Sequence, residues 1–393
     1  MARGPDTRNP YTPDSGVKPP ALTGRDKELG HLRSIITQVS QGGSERHVLI
    51  TGLRGVGKTV LLNEFEAMCV EAGWYADTKE VGRTTPLITL VMRVARTALL
   101  SMDAKKRAGD KVRRALRALK SFELTFGGVA ALKIEVDAAP GVADSGILAE
   151  DLRDLVVAVG QAAEEAGLGF ALILDELQNA AREEYEALIM ALHRAKQKAL
   201  PVVFVGGGLP LLPVLTTDAK TYAERMFVFP KIGALTPAAA RSALVLPAER
   251  QGVRWNEDAV RLVLELTEGY PFFLQEYGRR VWSQDDEPTI TLEDVGAAQP
   301  VVEADLDEQF FENRIGKLTS TERLYVSALA HLGDGPQQVG AIAKLLGRST
   351  TSLSPLRDDL MRDAVIYAPR RGHVDFTVPQ CASFVRRHYP FDT

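Results

Sequence analysis

The chain has 393 residues, of which 45% are hydrophobic and 25% are charged. This composition is typical of a globular protein and excludes intrinsic disorder, collagen-like repeats and a coiled coil as descriptions of the whole chain. At about 150 residues per domain, the length predicts two or three domains. The net charge of −4 gives no reason to identify a nucleic-acid-binding protein from the total alone.

The cysteine content and the apolar segments indicate the compartment. The two cysteines, Cys69 and Cys381, provide neither a disulfide framework nor metal-ligand spacing, which suits a reducing environment. No apolar segment follows the first residues, so we predict no signal peptide. The longest uncharged apolar run, 202–215, is broken by glycines and prolines and is too short to span a bilayer. These observations predict a cytoplasmic protein that does not enter a membrane.

The first half of the chain alternates apolar strands with helical patterns. Residues 1–20 carry five prolines without a period, which predicts an irregular arm that lies along the first domain. The predicted strands are 47–51, 74–81, 170–174, 202–205 and 226–229. The predicted helices are 25–41, a helix after the turn at 52–57, 86–120, 148–166 and 183–198, with an extended hairpin formed by 122–126 and 132–136. Strands that are apolar throughout and separated by helices predict an α/β fold, with a parallel sheet covered by helices on both faces.

After residue 230 the pattern is helical, and we expect no strands until the last domain. Helical spacing recurs at 236–249, 256–267, 271–284 and 291–298. Residues 281–313 then contain ten acidic residues and no lysine or arginine, a shift that marks the passage to the last domain. There, Thr319–Glu322 is a capping box that opens the first of three predicted helices. Two predicted strands, 365–368 and 373–378, follow these helices, and together they give the outline of a winged helix.

The strongest motif is the glycine-rich turn after the first strand. Residues 52–59 fit the phosphate-loop pattern G-x-x-x-x-G-K-[ST] at every fixed position, with the required strand before it and helix after it. The glycines let successive backbone N–H groups surround phosphate oxygens, Lys58 can reach the β- and γ-phosphates, and the Thr59 hydroxyl can bind Mg²⁺. The predicted nucleotide-binding residues are Gly52, Arg54, Gly55, Val56, Gly57, Lys58, Thr59 and Val60.

A second motif follows the strand 170–174. Asp175 and Glu176 end this strand and should emerge at the carboxyl edge of the sheet, beside the phosphate loop. Asp175 would hold Mg²⁺ through its water shell, beside the Thr59 hydroxyl. Glu176 would orient and polarise the attacking water, with Lys58 as a further catalytic residue. The alternative is a simple strand-to-helix turn capped by carboxylates. Both motifs together favour nucleotide hydrolysis over binding alone, with ATP and Mg²⁺ as the expected substrate and cofactor.

Further motifs suggest a branch of the P-loop ATPases. With residues 22–29, the phosphate loop, Leu174–Gln178 and Gly269–Gln275, the sequence from about 20 to 385 resembles the AAA+ ATPases of the initiator (origin-recognition-like) and archaeal type. The resemblance implies a five-stranded P-loop NTPase core, a helical lid and a C-terminal winged helix. We therefore divide the chain into an arm at 1–20, a core at 21–232, a lid at 233–298, and a linker helix with the winged helix at 299–393.

The same resemblance implies roles for residues outside the two motifs. Gly24 and Arg25 would lie by the adenine, and Tyr270 and Pro271 of the lid would close over it. Arg225 stands where the family has an arginine finger, which would act in trans within a homo-oligomer. Its alternative is an ion pair with Glu224 or with a carboxylate of the lid.

Two departures from the family pattern favour slow or partner-dependent hydrolysis. Gly206–Gly208 occupy the position where the family usually has a polar sensor residue, and glycine offers no side chain to bind water. Phe272 and Phe273 follow the Gly-Tyr-Pro motif, where many relatives have an arginine.

The last domain is basic. Residues 313–393 contain 11 lysines and arginines against 7 acidic residues. The expected contacts to double-stranded DNA are Thr350, Thr351, Ser354 and Arg357 on the recognition helix, and Arg370 and Arg371 on the wing. The alternative is a winged helix that docks on protein. A basic helical stretch at 105–120 is either a solvated face or a surface for nucleic acid or an acidic partner.

These expectations combine into one function with a rival from a different class. The sequence predicts an ATP-hydrolysing AAA+ switch that binds ATP and Mg²⁺ between core and lid and moves a DNA-binding winged helix. The rival is a signalling or regulatory NTPase whose winged helix makes protein contacts and never binds DNA. A P-loop kinase is disfavoured by Glu176, by the lid and by the winged helix.

Overall fold

The computed structural model describes residues 8–14, 16–102, 109–126, 137–138, 141–220, 222–284 and 287–391. The chain forms two compact units. Residues 26–51 and 58–231 form the first, which we call the α/β unit. The residues up to 25, residues 52–57 and the residues from 232 onward form the second, which we call the helical unit.

The α/β unit is built on a five-stranded parallel sheet with the strand order β2-β3-β4-β1-β5. The strands are β1 (His47–Thr51), β2 (Tyr75–Glu80), β3 (Phe170–Asp175), β4 (Val202–Gly208) and β5 (Phe227–Val228). Every residue of β1, β3 and β4 is buried, because a parallel sheet of this kind is covered by helices. The predicted parallel sheet is confirmed, and the predicted strands differ from the observed ones by no more than a few residues at their ends.

The helices of this unit pack around the sheet. They are α1 (Asp26–Ser40), α2 (Lys58–Glu71), α3 (Leu87–Met102), α4 (Asp110–Phe126), α5 (Leu148–Glu165), α6 (Arg182–Gln197), α7 (Leu212–Ala219) and α8 (Ala223–Met226). One continuous core joins the apolar faces of α3 to α6 to the sheet. Strands that alternate with helices in this order give the α/β architecture expected from the sequence.

The predicted hairpin at 122–136 is wrong in its first half. Residues 122–126 continue α4, and the rings of Phe122 and Phe126 contact each other one helical turn apart, with centroids separated by 4.9 Å. Burial of Phe122 in the core therefore overrides the short apolar alternation that suggested a strand. The second half, 132–136, lies outside the described residues.

The basic stretch on α4 has a solvent-exposed face. Its charged side chains lie opposite the buried apolar face of the helix, and Lys111 pairs with Glu164 at 2.9 Å. Lys120 pairs with Glu123 at 3.3 Å. The exposed residues between them are Arg113, Arg114 and Arg117. The lysines and arginine at 105–107 lie outside the described residues.

The helical unit contains helices and short strands. Its helices are α9 (Pro237–Glu249), α10 (Glu257–Thr267), α11 (Pro271–Trp282), α12 (Leu292–Asp305), α13 (Asn313–Ile315), α14 (Ser320–His331), α15 (Val339–Leu345), α16 (Ser354–Arg362) and α17 (Cys381–His388). A π-helical stretch, Leu306–Glu312, joins α12 to α13. The Thr319–Glu322 capping box at the start of α14 is confirmed, with both reciprocal hydrogen bonds present.

The strands of the helical unit are two to four residues long. They are β6 (Arg254–Trp255), β7 (Thr289–Ile290), β8 (Gln337–Gln338), β9 (Ile366–Tyr367) and β10 (His373–Phe376). Strands β6 and β7 pair in parallel, whereas β8, β10 and β9 form an antiparallel sheet in that order. The expectation that strands stop between residue 230 and the last domain is therefore wrong at β6 and β7, which are too short to give a periodic signal. Within the described residues, no helix is long and apolar enough to cross a membrane.

The described part of the N-terminal arm around Tyr11 packs on residues of the helical unit. The sequence had suggested an arm that lies along the first domain. Tyr11 is buried, and its hydroxyl donates a hydrogen bond to the carbonyl oxygen of Leu244 at 2.6 Å and accepts one from Nε1 of Trp255 at 3.0 Å. A Cβ at Gly278 would lie 2.4 Å from the Tyr11 ring, so only glycine fits there. Tyr11 thus anchors this part of the arm, together with hydrogen bonds from the Asn9 amide to the carbonyl oxygen of Arg279 and from the N–H of Thr12 to the side-chain oxygen of Gln275. The proline-rich sequence did not reveal these contacts.

A buried histidine makes the α/β unit sensitive to acid. Nδ1 of His47 accepts a hydrogen bond from the backbone N–H of Phe204 at 3.2 Å, and burial lowers the pKa of His47 from 6.5 to about 3. The imidazole is neutral in the folded protein, whereas the unfolded chain takes up a proton as the pH falls below 6.5. The stabilisation is complete above pH 6.5 and is lost as the pH falls toward 3.

We expect His47→Asn to reduce this acid sensitivity. Between pH 6 and pH 4 the free energy of unfolding of the variant should fall less steeply than that of the parent, by up to about 1.4 kcal/mol per pH unit. Urea unfolding at a series of pH values measures the difference, with the exposed His331→Asn as the control. Parallel pH profiles for the parent and the His47 variant would contradict the assignment.

Candidate functional site

The α/β unit brings the end of β3 to the start of α2. The Thr59 hydroxyl donates a hydrogen bond to Oδ2 of Asp175 at 2.5 Å, although 116 residues separate the two in the chain. Asp175 is 4% exposed and Lys58, the first residue of α2, is 5% exposed. Buried charged groups of this kind require partners, which makes the cluster a functional candidate.

Glu176 adopts a left-handed backbone conformation immediately after β3. Its φ of 53° and ψ of 38° are uncommon for a residue with a side chain, and its N–H donates to Oδ1 of Asp175 at 2.8 Å. Glu176 thus lies in a turn between the carboxyl end of β3 and residues 177–179. Such local strain occurs preferentially at functional sites.

Gln178 connects Glu176 to the end of β4, a contact that the sequence reasoning missed. Its amide nitrogen donates a hydrogen bond to Oε2 of Glu176 at 2.5 Å. Its amide oxygen accepts one from the N–H of Leu209 at 3.1 Å. Gln178 therefore holds the Glu176 carboxylate in a defined position relative to the sheet. The only sequence signal was its place two residues after the carboxylate pair.

The glycines at the end of β4 are required by close packing. A Cβ at Gly207 would lie 2.6 Å from Oδ1 of Asp175, and one at Gly208 would lie 2.6 Å from the amide oxygen of Gln178. A Cβ at Gly206 would lie 2.2 Å from Cδ1 of Leu177. Side chains at these positions would displace the Asp175–Gln178 segment. The triplet thus lacks a polar side chain because the space is already occupied.

The phosphate-loop residues 52–57 and Arg25 contact each other within the helical unit. The Arg25 guanidinium is buried and donates hydrogen bonds to the carbonyl oxygens of Val56, at 3.1 Å, and Gly233, at 2.6 Å. Gly55 and Gly57 have φ values of 75° and 92°, in the left-handed region that favours glycine. Arg25 thus fixes the backbone of the loop.

The start of α11 packs directly on this loop. Pro271 occupies the first turn of the helix, where the missing N–H costs nothing, and Tyr270 is its N-cap residue. A Cβ at Gly55 would lie 3.0 Å from Cε1 of the buried Tyr270. Gly24, with a φ of 67°, approaches α9 so closely that a Cβ would lie 2.6 Å from Cβ of Ala239. The structure therefore brings Arg25, the loop backbone and Tyr270 together.

Two parts of the chain match known family models. Residues 21–205 match the family model described as an AAA ATPase domain. The N-terminal part of the chain is thus similar to AAA ATPases. Residues 308–385 match a second family model, described as a domain of unknown function (DUF8462). A search of curated proteins finds no match.

Several solved structures are similar to the chain. A Walker-type ATPase of Pyrococcus abyssi has a TM-score of 0.55 and 16% identity, covering 93% of this chain and 96% of that one. Orc1 of Aeropyrum pernix, in complex with DNA, has a TM-score of 0.46 and 18% identity, covering 94% and 93%. The RuvB Holliday junction branch migration motor of Thermotoga maritima has a TM-score of 0.46 and 14% identity, covering 95% and 96%. The P-loop NTPase fold is confirmed, and the match of residues 21–205 to the AAA ATPase model supports a nucleotide-dependent activity.

The residues that match the AAA ATPase model include the whole phosphate loop and the Asp175–Glu176 pair. Of the remaining loop residues, Val56 is buried, whereas Val60 is half-buried in the first turn of α2. Arg225 lies outside the matched residues, at the end of α8, and is exposed. Across the described residues, Arg225 forms no ion pair with Glu224 or with another acidic residue.

The predicted DNA-contacting residues lie in the turn before α16, on α16 and in the turn between β9 and β10. The exposed members of this set are Thr350, Thr351, Arg370 and Arg371. Ser354 is half-buried and donates its hydroxyl to the carbonyl oxygen of Thr350 at 3.2 Å. Arg357 is half-buried and pairs with Asp358 at 3.3 Å. Arg348, also exposed beside this turn, was not among the predicted residues.

Proposed function

We propose that the protein is an ATP-binding and ATP-hydrolysing AAA+ switch of the initiator and archaeal type, which couples its nucleotide state to a C-terminal winged helix. The hydrogen bond between Thr59 and Asp175 supports this proposal most directly, because it joins the two predicted oxygen ligands of Mg²⁺ next to Glu176. A nucleotide-binding protein without hydrolysis needs no carboxylate positioned as Glu176 is.

The side chains and backbone groups of the site fit Mg²⁺ and a nucleoside triphosphate. A hydroxyl and a carboxylate oxygen are hard ligands of the kind that Mg²⁺ prefers, and both come from this unit alone. When bound, Mg²⁺ supplies positive charge that neutralises phosphate oxygens. Lys58 binds phosphate oxygens, and the backbone N–H groups of the loop surround them. Arg25 keeps the loop backbone in place through Val56.

Glu176 acts on the attacking water in this proposal. Its carboxylate accepts a hydrogen bond from Gln178, which leaves the other oxygen for water. Gln178 supplies near β4 the amide group that the Gly206–Gly208 triplet cannot supply. Slow or partner-stimulated turnover remains our expectation, with Arg225 of a second copy as the added cation.

The experiment that tests hydrolysis is phosphate release from ATP by the whole chain, with and without Mg²⁺. We expect turnover in Mg²⁺ that stops when the ion is removed by a chelator and returns when it is added back. Turnover that persists in excess chelator, or is absent at every protein concentration while ATP binds, contradicts an ATPase of this type.

The proposed domain division assigns the winged helix to the end of the chain. The observations that support it are three helices, α14 to α16, and the antiparallel strands β8 to β10. The net positive charge of residues 313–393 and the exposed Arg370 and Arg371 favour DNA as the partner.

The two cysteines fit a reducing cytoplasm, because burial raises the pKa of Cys69 and of Cys381 to about 12 and keeps both as thiols.

We expect duplex DNA to bind with an affinity that falls as salt rises. Replacement of Arg370 and Arg371 by alanine should weaken binding and make the log–log salt slope shallower by about one to two, because each phosphate contact contributes about 0.9. Fluorescence anisotropy over a salt series measures the slope, with Arg261→Ala on α10 as the matched control. Absence of salt-dependent DNA binding favours the rival, a regulatory NTPase whose winged helix docks on protein.

A further inference from the structure

A chain of contacts joins the phosphate loop to the segment after the π-helix, within the helical unit. A Cβ at Gly55 would lie 3.3 Å from Cβ of Phe272, so α11 is in direct contact with the loop. The Phe272 ring stacks on the ring of Phe310, with centroids 4.9 Å apart. The Arg314 guanidinium lies over the Phe310 ring, 3.9 Å from the ring centroid.

Two guanidinium groups lie near each other at this place. Arg54 precedes Gly55 in the phosphate loop, and the contacts from Gly55 through Phe272 and Phe310 lead to Arg314. Burial lowers the pKa of Arg314, and the positive charge of Arg54 lowers it further. The structure records no ion pair for either side chain with an acidic residue in the parts of the chain that it describes. Like charges that are partly removed from water destabilise a fold unless an anion compensates them.

Two buried polar atoms near the contact between the loop and α11 have no hydrogen-bond partner among the described residues. They are Nε of Arg54 and the hydroxyl of Tyr270. Tyr270 is 2% exposed, and its ring contacts the loop at Gly55. A buried donor without a partner costs free energy that a bound ligand can recover. The π-helical stretch that precedes Arg314 is a rare conformation found frequently at functional sites.

We propose that Arg54 and Arg314 form an anion site for the phosphate chain of the bound nucleotide. This inference rests on the proposed nucleotide binding. It adds Arg314, which lies 256 positions after Lys58 in the chain, to the proposed phosphate-binding residues. Guanidinium groups donate several hydrogen bonds in a planar array that matches phosphate oxygens. Arg314 is five residues before the Thr319 cap of α14, so occupancy of the site acts on the segment that leads into the last domain.

The test compares nucleotide binding by the parent with that of Arg314→Met and Arg314→Lys. Methionine keeps an unbranched apolar stem against Phe310 but removes the charge. We expect about a tenfold or greater loss of affinity for both ATP and tripolyphosphate in the methionine variant. Lysine should restore part of the affinity. Arg261→Ala, which removes an exposed arginine paired with Asp258, should bind as the parent does.

Thermal unfolding without nucleotide separates a binding role from a structural one. Arg314→Met removes a like charge from the neighbourhood of Arg54, but it also removes the contact of the guanidinium with the Phe310 ring and its hydrogen bond to the carbonyl oxygen of Phe310. Because these effects oppose each other, we expect a midpoint close to that of the parent. A lower midpoint with unchanged ATP affinity overturns the inference. So does a loss of affinity for ATP without a loss for tripolyphosphate, because the phosphate chain would then not be the ligand.

The result also distinguishes the inference from the proposed function. If Lys58→Ala weakens ATP binding but Arg314→Met does not, nucleotide binding stands and the anion site is overturned. If Lys58→Ala leaves ATP binding unchanged, the proposed function fails first.

Discussion

Replacement of Glu176 by glutamine is expected to lower ATP turnover by about 100-fold or more, while ATP binding stays within a factor of about three of the parent. A positioned general base contributes about 10² to 10⁴ to a rate, and the amide of glutamine cannot accept a proton from water. The amide oxygen can still accept the hydrogen bond from Gln178, so the local fold is preserved. Phosphate release and equilibrium binding of a fluorescent ATP analogue measure the two quantities separately.

The neighbouring Gln178→Ala tests how Glu176 is held. We expect a smaller decrease in kcat, about tenfold, with an unchanged KM, because alanine removes the partner of the carboxylate but not the carboxylate. Glu183→Gln, an exposed change in the first turn of α6, is the matched control and should have no effect. If Glu176→Gln hydrolysed ATP as fast as the parent, the catalytic assignment of Glu176 would be wrong.

Replacement of Lys58 by alanine is expected to weaken ATP binding by about 10- to 100-fold and to abolish turnover. Charge-assisted hydrogen bonds contribute about 1.5 to 3 kcal/mol each. Lys58, the first residue of α2, is the proposed phosphate-binding cation. Lys27→Ala on α1 removes an exposed lysine and should leave binding unchanged. Isothermal titration with ATP and Mg²⁺ measures the difference, and an unchanged dissociation constant for the Lys58 variant would exclude the loop as the phosphate site.

The strands of the sheet and the contact between Thr59 and Asp175 could be predicted from local sequence. Strands β1, β3 and β4 are continuous apolar runs bounded by turns, so their type and place are fixed by a pattern within a few residues. Thr59 and Asp175 meet because parallel strands end at the same sheet edge, a rule that needs no knowledge of side chains.

The remaining features depend on packing between distant segments. The hydrogen bonds of Gln178 depend on the close packing of the Asp175–Gln178 segment against the end of β4. The same packing excludes side chains from Gly206–Gly208. The role of Arg314 depends on Phe272 and Phe310, which come from different helices. The hairpin prediction failed at Phe122 for a related reason, since tertiary burial decided between two short-range patterns.

The anchoring of the arm by Tyr11 has a consequence for the order in which the chain folds. The hydrogen bond from Tyr11 to Leu244 spans 233 residues, and the ring contact with Trp282 spans still more. At about 5 to 20 residues per second, a ribosome needs roughly 10 to 50 seconds to make the chain between Tyr11 and Leu244. Throughout that interval the Tyr11 side chain has no Leu244 carbonyl to bind. Tyr11 therefore completes its contacts only after translation has passed residue 282.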